Sequence, residues 1–215
     1  MDFDIERMLY TLPAVIIGLG LHEWAHAFTA WKLGDVTAKE EGRVSFNPLR
    51  HLDPLGFIFI VFVGFGWAKP VRFNPENLSH PRRDRALIAA AGPVSNLLLG
   101  LAVLGFLKLL LMFLFTSMFI MNLPPKVLDV SLKILLHTAA TNLGLFIFNI
   151  LPVPPLDGSH IFFSSLKLDP ATEARILKFG GLALFILILL ENRLATGILP
   201  IHIFVNKVFS LFGFG

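Results

Sequence analysis

Two histidines and a glutamate stand at the spacing that metal-assisted hydrolysis needs, in His22-Glu23-Trp24-Ala25-His26, an HExxH pattern. On a helix, positions four apart share one face about 6 Å apart along the axis, so both imidazoles reach a single ion. Glu23, one position round from His22, can take a proton from a metal-activated water, the general-base arrangement of a zinc-dependent hydrolase. A third protein ligand is required, because a catalytic zinc commonly has three and an open fourth position. The chain contains no cysteine, which excludes thiolate ligands, a thiol nucleophile and a disulfide framework and leaves His, Asp or Glu. Asp157, in Leu156-Asp157-Gly158, is the best-placed carboxylate, although Asp-Gly after prolines is also an ordinary turn signature. For His22 and His26 the competing reading is hydrogen bonding between packed helices.

The elements that must position these residues belong to a membrane protein. Of 215 residues 55% are hydrophobic and only 15% charged, and the mean hydropathy is +0.73. The apolar residues, 22 Phe among them, lie in long runs rather than amphipathic stripes, so their surface suits lipid. The net charge of +3 sits in Lys and Arg at segment ends, which reads as membrane orientation, and no nucleic-acid motif occurs. The acidic start Met1-Asp2-Phe3-Asp4 does not resemble the basic beginning of a signal peptide, and cleavage after the apolar run would discard the HExxH. A single integral membrane domain over 1–215 is expected, with a core at about 8–170 and a C-terminal helix and interfacial tail at about 171–215.

Four long apolar segments are expected: Met8–Leu33, Ala86 to about Asn122, Leu132–Leu151 and Ala174–Leu190. The first carries the HExxH roughly 10 to 16 Å from its C-terminal end, at a depth where ionisable groups are costly and usually functional. Residues 36–50 alternate apolar and polar side chains and predict a small β-hairpin, with a second strand near 68–74. Residues 55–67 are too short to span and read as re-entrant or interfacial, with basic residues on both flanks. Asn96, after Gly92-Pro93, and Asn149, at the edge of the proline-rich stretch to Gly158, are either interhelical hydrogen-bond partners or amide donors to a developing oxyanion. His51, His80, His137 and His202 lack ligand spacing and read as packed or interfacial, and His160 as a loop residue near Asp157.

Taken in order, the His22-to-His26 motif, Gly92-Pro93-Val94-Ser95-Asn96 and the stretch Asn149 to Gly158 resemble the site-2 protease family of intramembrane zinc metalloproteases, peptidase family M50, in a small prokaryotic form. The resemblance covers roughly residues 10–170. It implies one zinc ion on His22, His26 and Asp157, Glu23 as base, supporting roles for Asn96 and Asn149, and a three-helix core opening toward the cytoplasm of a plasma membrane. It also likens Gly42-Arg43-Val44-Ser45-Phe46-Asn47-Pro48 and Gly66-Trp67-Ala68-Lys69-Pro70 to a membrane-associated β element. Arg43, Val44 and Ser45 are then candidates to receive an unwound transmembrane substrate as an added strand. No PDZ or CBS module is visible, so substrate selection is assigned to the membrane core or to partners. The expected partners are a transmembrane protein substrate and the lipid bilayer, with a second copy of the chain also allowed. Two rival functions stand beside proteolysis: a metal-ion transporter, because buried His and Asp near broken helices also mark ion paths, and a non-catalytic membrane scaffold.

Overall fold

The computed structural model describes residues 5–63, 66–116, 124–166, 169–194 and 199–214. Its frame is three long helices: α1 (Ile5–Lys32), α4 (Pro81–Thr116) and α5 (Pro125–Ile150). Among the described residues, Met8–Lys32, Pro81–Leu114 and Pro125–Ile150 are long and apolar enough to cross a membrane. Between α1 and α4 lie the single turn α2 (Thr37–Glu40) and the short helix α3 (Pro54–Val63). Beyond α5 come α6 (Asp157–Ser165), α7 (Pro170–Leu194) and α8 (Ile201–Phe212). The expected first and third spans fall on α1 and α5; the expected fourth lies on helix α7, which is not among these three. The second begins earlier than expected, at Pro81, where proline is tolerated at a helix start.

The three long helices approach closely because small residues line their seams. A Cβ at Gly100 would stand 2.8 Å from Leu143 Cγ, and one at Gly18 would stand 2.6 Å from Asn142 Oδ1. Away from the site, Leu104, Ala139, Leu143 and Val208 form a buried cluster that holds α8 against α4 and α5. Ala30, Leu78 and Ile88 form another near the end of α1. The first turn of α7 is tied to α4 by Arg85 Nη1 and Glu173 Oε1 at 2.9 Å.

The predicted hairpin over 36–50 and strand near 68–74 do not form. Thr37–Glu40 is a helical turn, Pro48–Arg50 is a 3-10 turn, and the pairing among described residues is an isolated bridge between Leu52 and Ala68. Local chemistry explains the difference. Gly42 turns the chain at φ +69, the Ser45 amide bonds back to the Arg43 carbonyl at 2.9 Å, and Asn47 caps the turn at Pro48 through the Leu49 amide. The apolar side chain taken for one face of a strand, Phe46, stacks on Trp24 of α1 with ring centroids 4.4 Å apart. Arg43, Val44 and Ser45 lie in this irregular stretch and not in a strand. Of the short segment 55–67, residues 64–65 lie outside the described residues; the ten-residue α3 reaches only about 15 Å, and the chain on either side meets at the Leu52–Ala68 bridge.

Candidate metal centre

The HExxH lies in the middle of regular helix α1, where the four-residue spacing brings His22 Nε2 and His26 Nε2 to 3.0 Å. The third group comes from just beyond the end of α5. After α5 ends at Ile150 the proline-rich turn reverses the chain, and α6 starts at Asp157. Gly158 makes that reversal possible, since a Cβ there would stand 2.1 Å from the Ile150 carbonyl oxygen. Asp157 Oδ2 is thereby placed 3.0 Å from His22 Nε2 and 3.4 Å from His26 Nε2.

The partners of the other ring nitrogens decide what these contacts are. His22 Nδ1 lies 2.6 Å from Asn96 Oδ1, and His26 Nδ1 lies 2.7 Å from the Ile88 carbonyl oxygen. The carbonyl only accepts. Asn96 presents its oxygen to His22 because its amide nitrogen already donates to the Gly18 carbonyl at 3.0 Å and to Asn142 Oδ1 at 2.9 Å. Both rings, when neutral, therefore carry their proton on Nδ1 and turn an Nε2 lone pair toward Asp157. Asp157 Oδ2 is buried and has no hydrogen-bond donor. With both rings neutral, three lone pairs converge with no proton among them, an arrangement that repels itself unless a cation sits between. Tetrahedral zinc ligands at 2.0–2.1 Å stand about 3.3 Å apart, which matches the separations here. Room is left as well: a Cβ on Gly92 of α4 would lie 2.4 Å from His26 Nε2 and 2.6 Å from His22 Nε2. A small residue at this position keeps α4 out of the centre.

Glu23 faces the same space from a different support. Its Oε2 accepts from the Val71 amide at 3.0 Å, and Arg43 Nη2 lies 3.8 Å away. Arg43 is itself buried, donating Nη1 to the Arg50 carbonyl at 2.7 Å and Nη2 to the Lys69 carbonyl. His51, packed as expected, is fully buried and donates Nε2 to the Ser45 carbonyl at 2.7 Å, and burial holds its imidazole below the ordinary range. Together these contacts knit the segments 43–51 and 68–71 into a platform beside the base. His22, Glu23, His26 and Asp157 open onto one cavity of about 1150 Å³.

A family model described as Peptidase family M50 matches residues 10–189. The chain belongs to peptidase family M50. It is 43% identical over 159 residues to "Putative zinc metalloprotease YwhC" of Bacillus subtilis, covering 74% of this chain and 70% of that one. It is 29% identical over 180 residues to "Putative zinc metalloprotease Rip2" of Mycobacterium tuberculosis, covering 81% of this chain and 63% of the relative. Against the Rip2 of Mycolicibacterium smegmatis the identity is 32% over 95 residues, covering 42% of this chain and 36% of the relative. No solved structure matches. This M50 chain is a membrane-embedded peptidase with zinc as its metal, and the donor set of His22, His26 and Asp157 fits that ion.

The two asparagines singled out in the sequence part company. Asn96 stands behind His22, and both its amide hydrogens are committed, so it supports a ligand and donates nothing to an oxyanion. Asn149 lines the cavity, with its amide nitrogen bonded to the Leu145 carbonyl of its own helix at 3.0 Å. His160 and His202 also line the cavity, while His137 stacks on Tyr10. Three supporting groups were missed. Asn142 carried the signal of an amide buried in an apolar helix, and the Val71 amide and the Ile88 carbonyl, main-chain groups, carried none.

Proposed function

We propose that this M50 chain hydrolyses peptide bonds in or near the transmembrane segments of membrane-protein substrates. What carries the reading is that the three converging lone pairs and the Glu23 carboxylate open on one cavity walled by helices long enough to cross a bilayer. The cavity exceeds the few hundred to about 1,000 Å³ usual for a small-molecule site, which suits an unwound stretch of peptide. His22, His26 and Asp157 would hold the zinc, which when bound would supply Lewis acidity toward a water and a peptide carbonyl oxygen. Glu23 takes the water's proton on the carboxylate oxygen not held by Val71 and delivers it to the leaving amine nitrogen. Asn96 and the Ile88 carbonyl keep each histidine's proton on Nδ1 throughout. Asn149 is the amide on the cavity wall that could turn to a developing oxyanion. The plasma membrane of a prokaryote, with the cavity facing the cytoplasm and α7 as a further crossing, completes the proposal.

Co-expression with a panel of single-span membrane proteins tests it. Wild type should release a cytoplasmic product, and Glu23→Gln should lower the yield at least about 100-fold while about one zinc per chain is retained. Zinc flux across proteoliposomes without cleavage would identify a carrier instead. Cleavage undiminished in Glu23→Gln would end the assignment of the base.

A further inference from the structure

Asn142 touches no ligand and does not line the cavity, yet it is fully buried in α5 at the seam where α1, α4 and α5 meet. Its Nδ2 donates to the Thr138 carbonyl at 2.8 Å, which fixes which way its amide faces. Its Oδ1 then accepts from Asn96 Nδ2 at 2.9 Å. We infer that Asn142 is a positioning residue for the metal centre, setting the tautomer of His22 through Asn96.

The reasoning is about a flip. Asn96 rotated by half a turn would offer His22 Nδ1 an N–H in place of an oxygen. The ring would answer by moving its proton to Nε2, and the lone pair aimed at Asp157 would be lost. Two acceptors oppose the flip, the Gly18 carbonyl and Asn142 Oδ1, because in the flipped state Asn96 oxygen would face both of them. With Asn142 replaced by an apolar residue, one amide hydrogen of Asn96 becomes an orphan in a buried seam, and the orientation that presents oxygen to His22 loses one of its two supports. Gly18 belongs to the same device: lacking a Cβ, it lets Asn142 come within reach of Asn96 and supplies the second acceptor itself. Asn96 of α4, which contacts a ligand of α1, is thus held by Asn142 of the neighbouring α5, so that the centre is registered against all three helices.

This inference rests on the zinc reading of the site, and its test separates the two. The full chain in detergent micelles is titrated with zinc against a chelator at fixed pH, and unfolding is followed in parallel. Asn142→Leu should weaken zinc binding about tenfold, the lower end of the range for residues behind a ligand. Asn142→Asp should restore most of it, because a protonated carboxyl donates to Thr138 and accepts from Asn96. Leu143→Ala, a cavity in the same helix outside the hydrogen-bond chain, should lower the unfolding temperature with zinc affinity kept. In the metal-free protein, ¹⁵N shifts of the His22 ring should report protonated Nδ1 in wild type and a mixture of tautomers in Asn142→Leu. Equal affinity in Asn142→Leu and wild type overturns the inference, as does an Asp variant as weak as Leu or an equal loss in Leu143→Ala. A wild-type chain that binds no zinc overturns the metal reading itself.

Discussion

The two sides of the centre are built from different materials. The ligand side rests mainly on the long helices: His22 and His26 lie on α1, each imidazole is held through Nδ1 by a buried group of α4, and Asp157 enters at the start of the short helix α6 that follows α5. The base side is made by short turns: Glu23 is held by the Val71 amide and flanked by Arg43, whose guanidinium ties together two main-chain carbonyls. Helices fix positions by their own ladders, so the metal geometry depends on helix packing. Turns fix positions through a few hydrogen bonds, so the base depends on a small number of side chains. Damage to the first side should appear in metal affinity, and damage to the second in turnover with the metal still bound.

The strongest test of that division is Gly92→Val. Its branched side chain begins at a Cβ that would lie 2.4 to 2.6 Å from the two Nε2 atoms, where only an ion fits. Zinc affinity should fall by about 100-fold or more, beyond what losing a residue behind a ligand costs. A Gly92→Val protein that holds zinc as tightly as wild type would mean that α4 can retreat, and the ligand side would not be rigid. Arg43 offers the converse. Arg43→Gln should lower kcat about tenfold to 100-fold by releasing the platform beside Glu23, a fraction of what a positioned base contributes, with zinc affinity unchanged. Arg43→Lys should fall between, since an ammonium keeps the charge but cannot bridge the Arg50 and Lys69 carbonyls in the geometry of a fork. Measured side by side, a shared loss of zinc in Arg43→Gln would erase the distinction between the two sides.

The same division explains what could be read in the sequence. His22, Glu23 and His26 lie on one helix, where spacing alone sets geometry, and the three long helices follow from apolar length. Asp157 needed the whole chain reversal after α5, and motif order pointed to it while spacing left a turn residue as the lesser alternative. Asn96 was visible as a costly buried amide, but its role depended on which of its two ends faced His22, a matter of tertiary contact. The base side was misread because alternation at Val44 and Phe46 has two physical sources. A strand pointing one face inward gives it, and so does a turn whose aromatic ring folds down on a neighbouring helix, as Phe46 does on Trp24. Gly42 and the Asn47 cap favour the turn. Arg43 entered as a substrate-strand candidate, and only its burial beside Glu23 shows a part in supporting the base.

The smallest expected effect concerns Asp35, which anchors the far end of the base-side platform. Its carboxylate is fully buried and accepts from the Thr37 hydroxyl at 2.6 Å, Asn77 Nδ2 at 2.8 Å and the Asn74 amide at 2.8 Å. Burial pushes this carboxyl up, but the bonds from Thr37, Asn77 and Asn74 outweigh it and hold the group below its ordinary value. A carboxyl depressed in the folded state stabilises fully above its unfolded value near 3.9, and that contribution is lost as pH falls through the folded value. Asp35→Asn replaces one acceptor oxygen by a donor, so at pH 7 it should cost about 1–3 kcal/mol and lower the unfolding temperature. Below pH 4 the wild type loses its advantage while the variant has no carboxyl there to titrate, so the two unfolding temperatures should converge. Zinc affinity at pH 7 should not change, because Asp35 reaches the segment bearing Val71 and none of the ligand helices beyond the end of α1. A gap that stays constant from pH 7 to pH 3 would show that Asp35 acts by shape alone. A loss of zinc would show that the platform and the ligand helices move as one body.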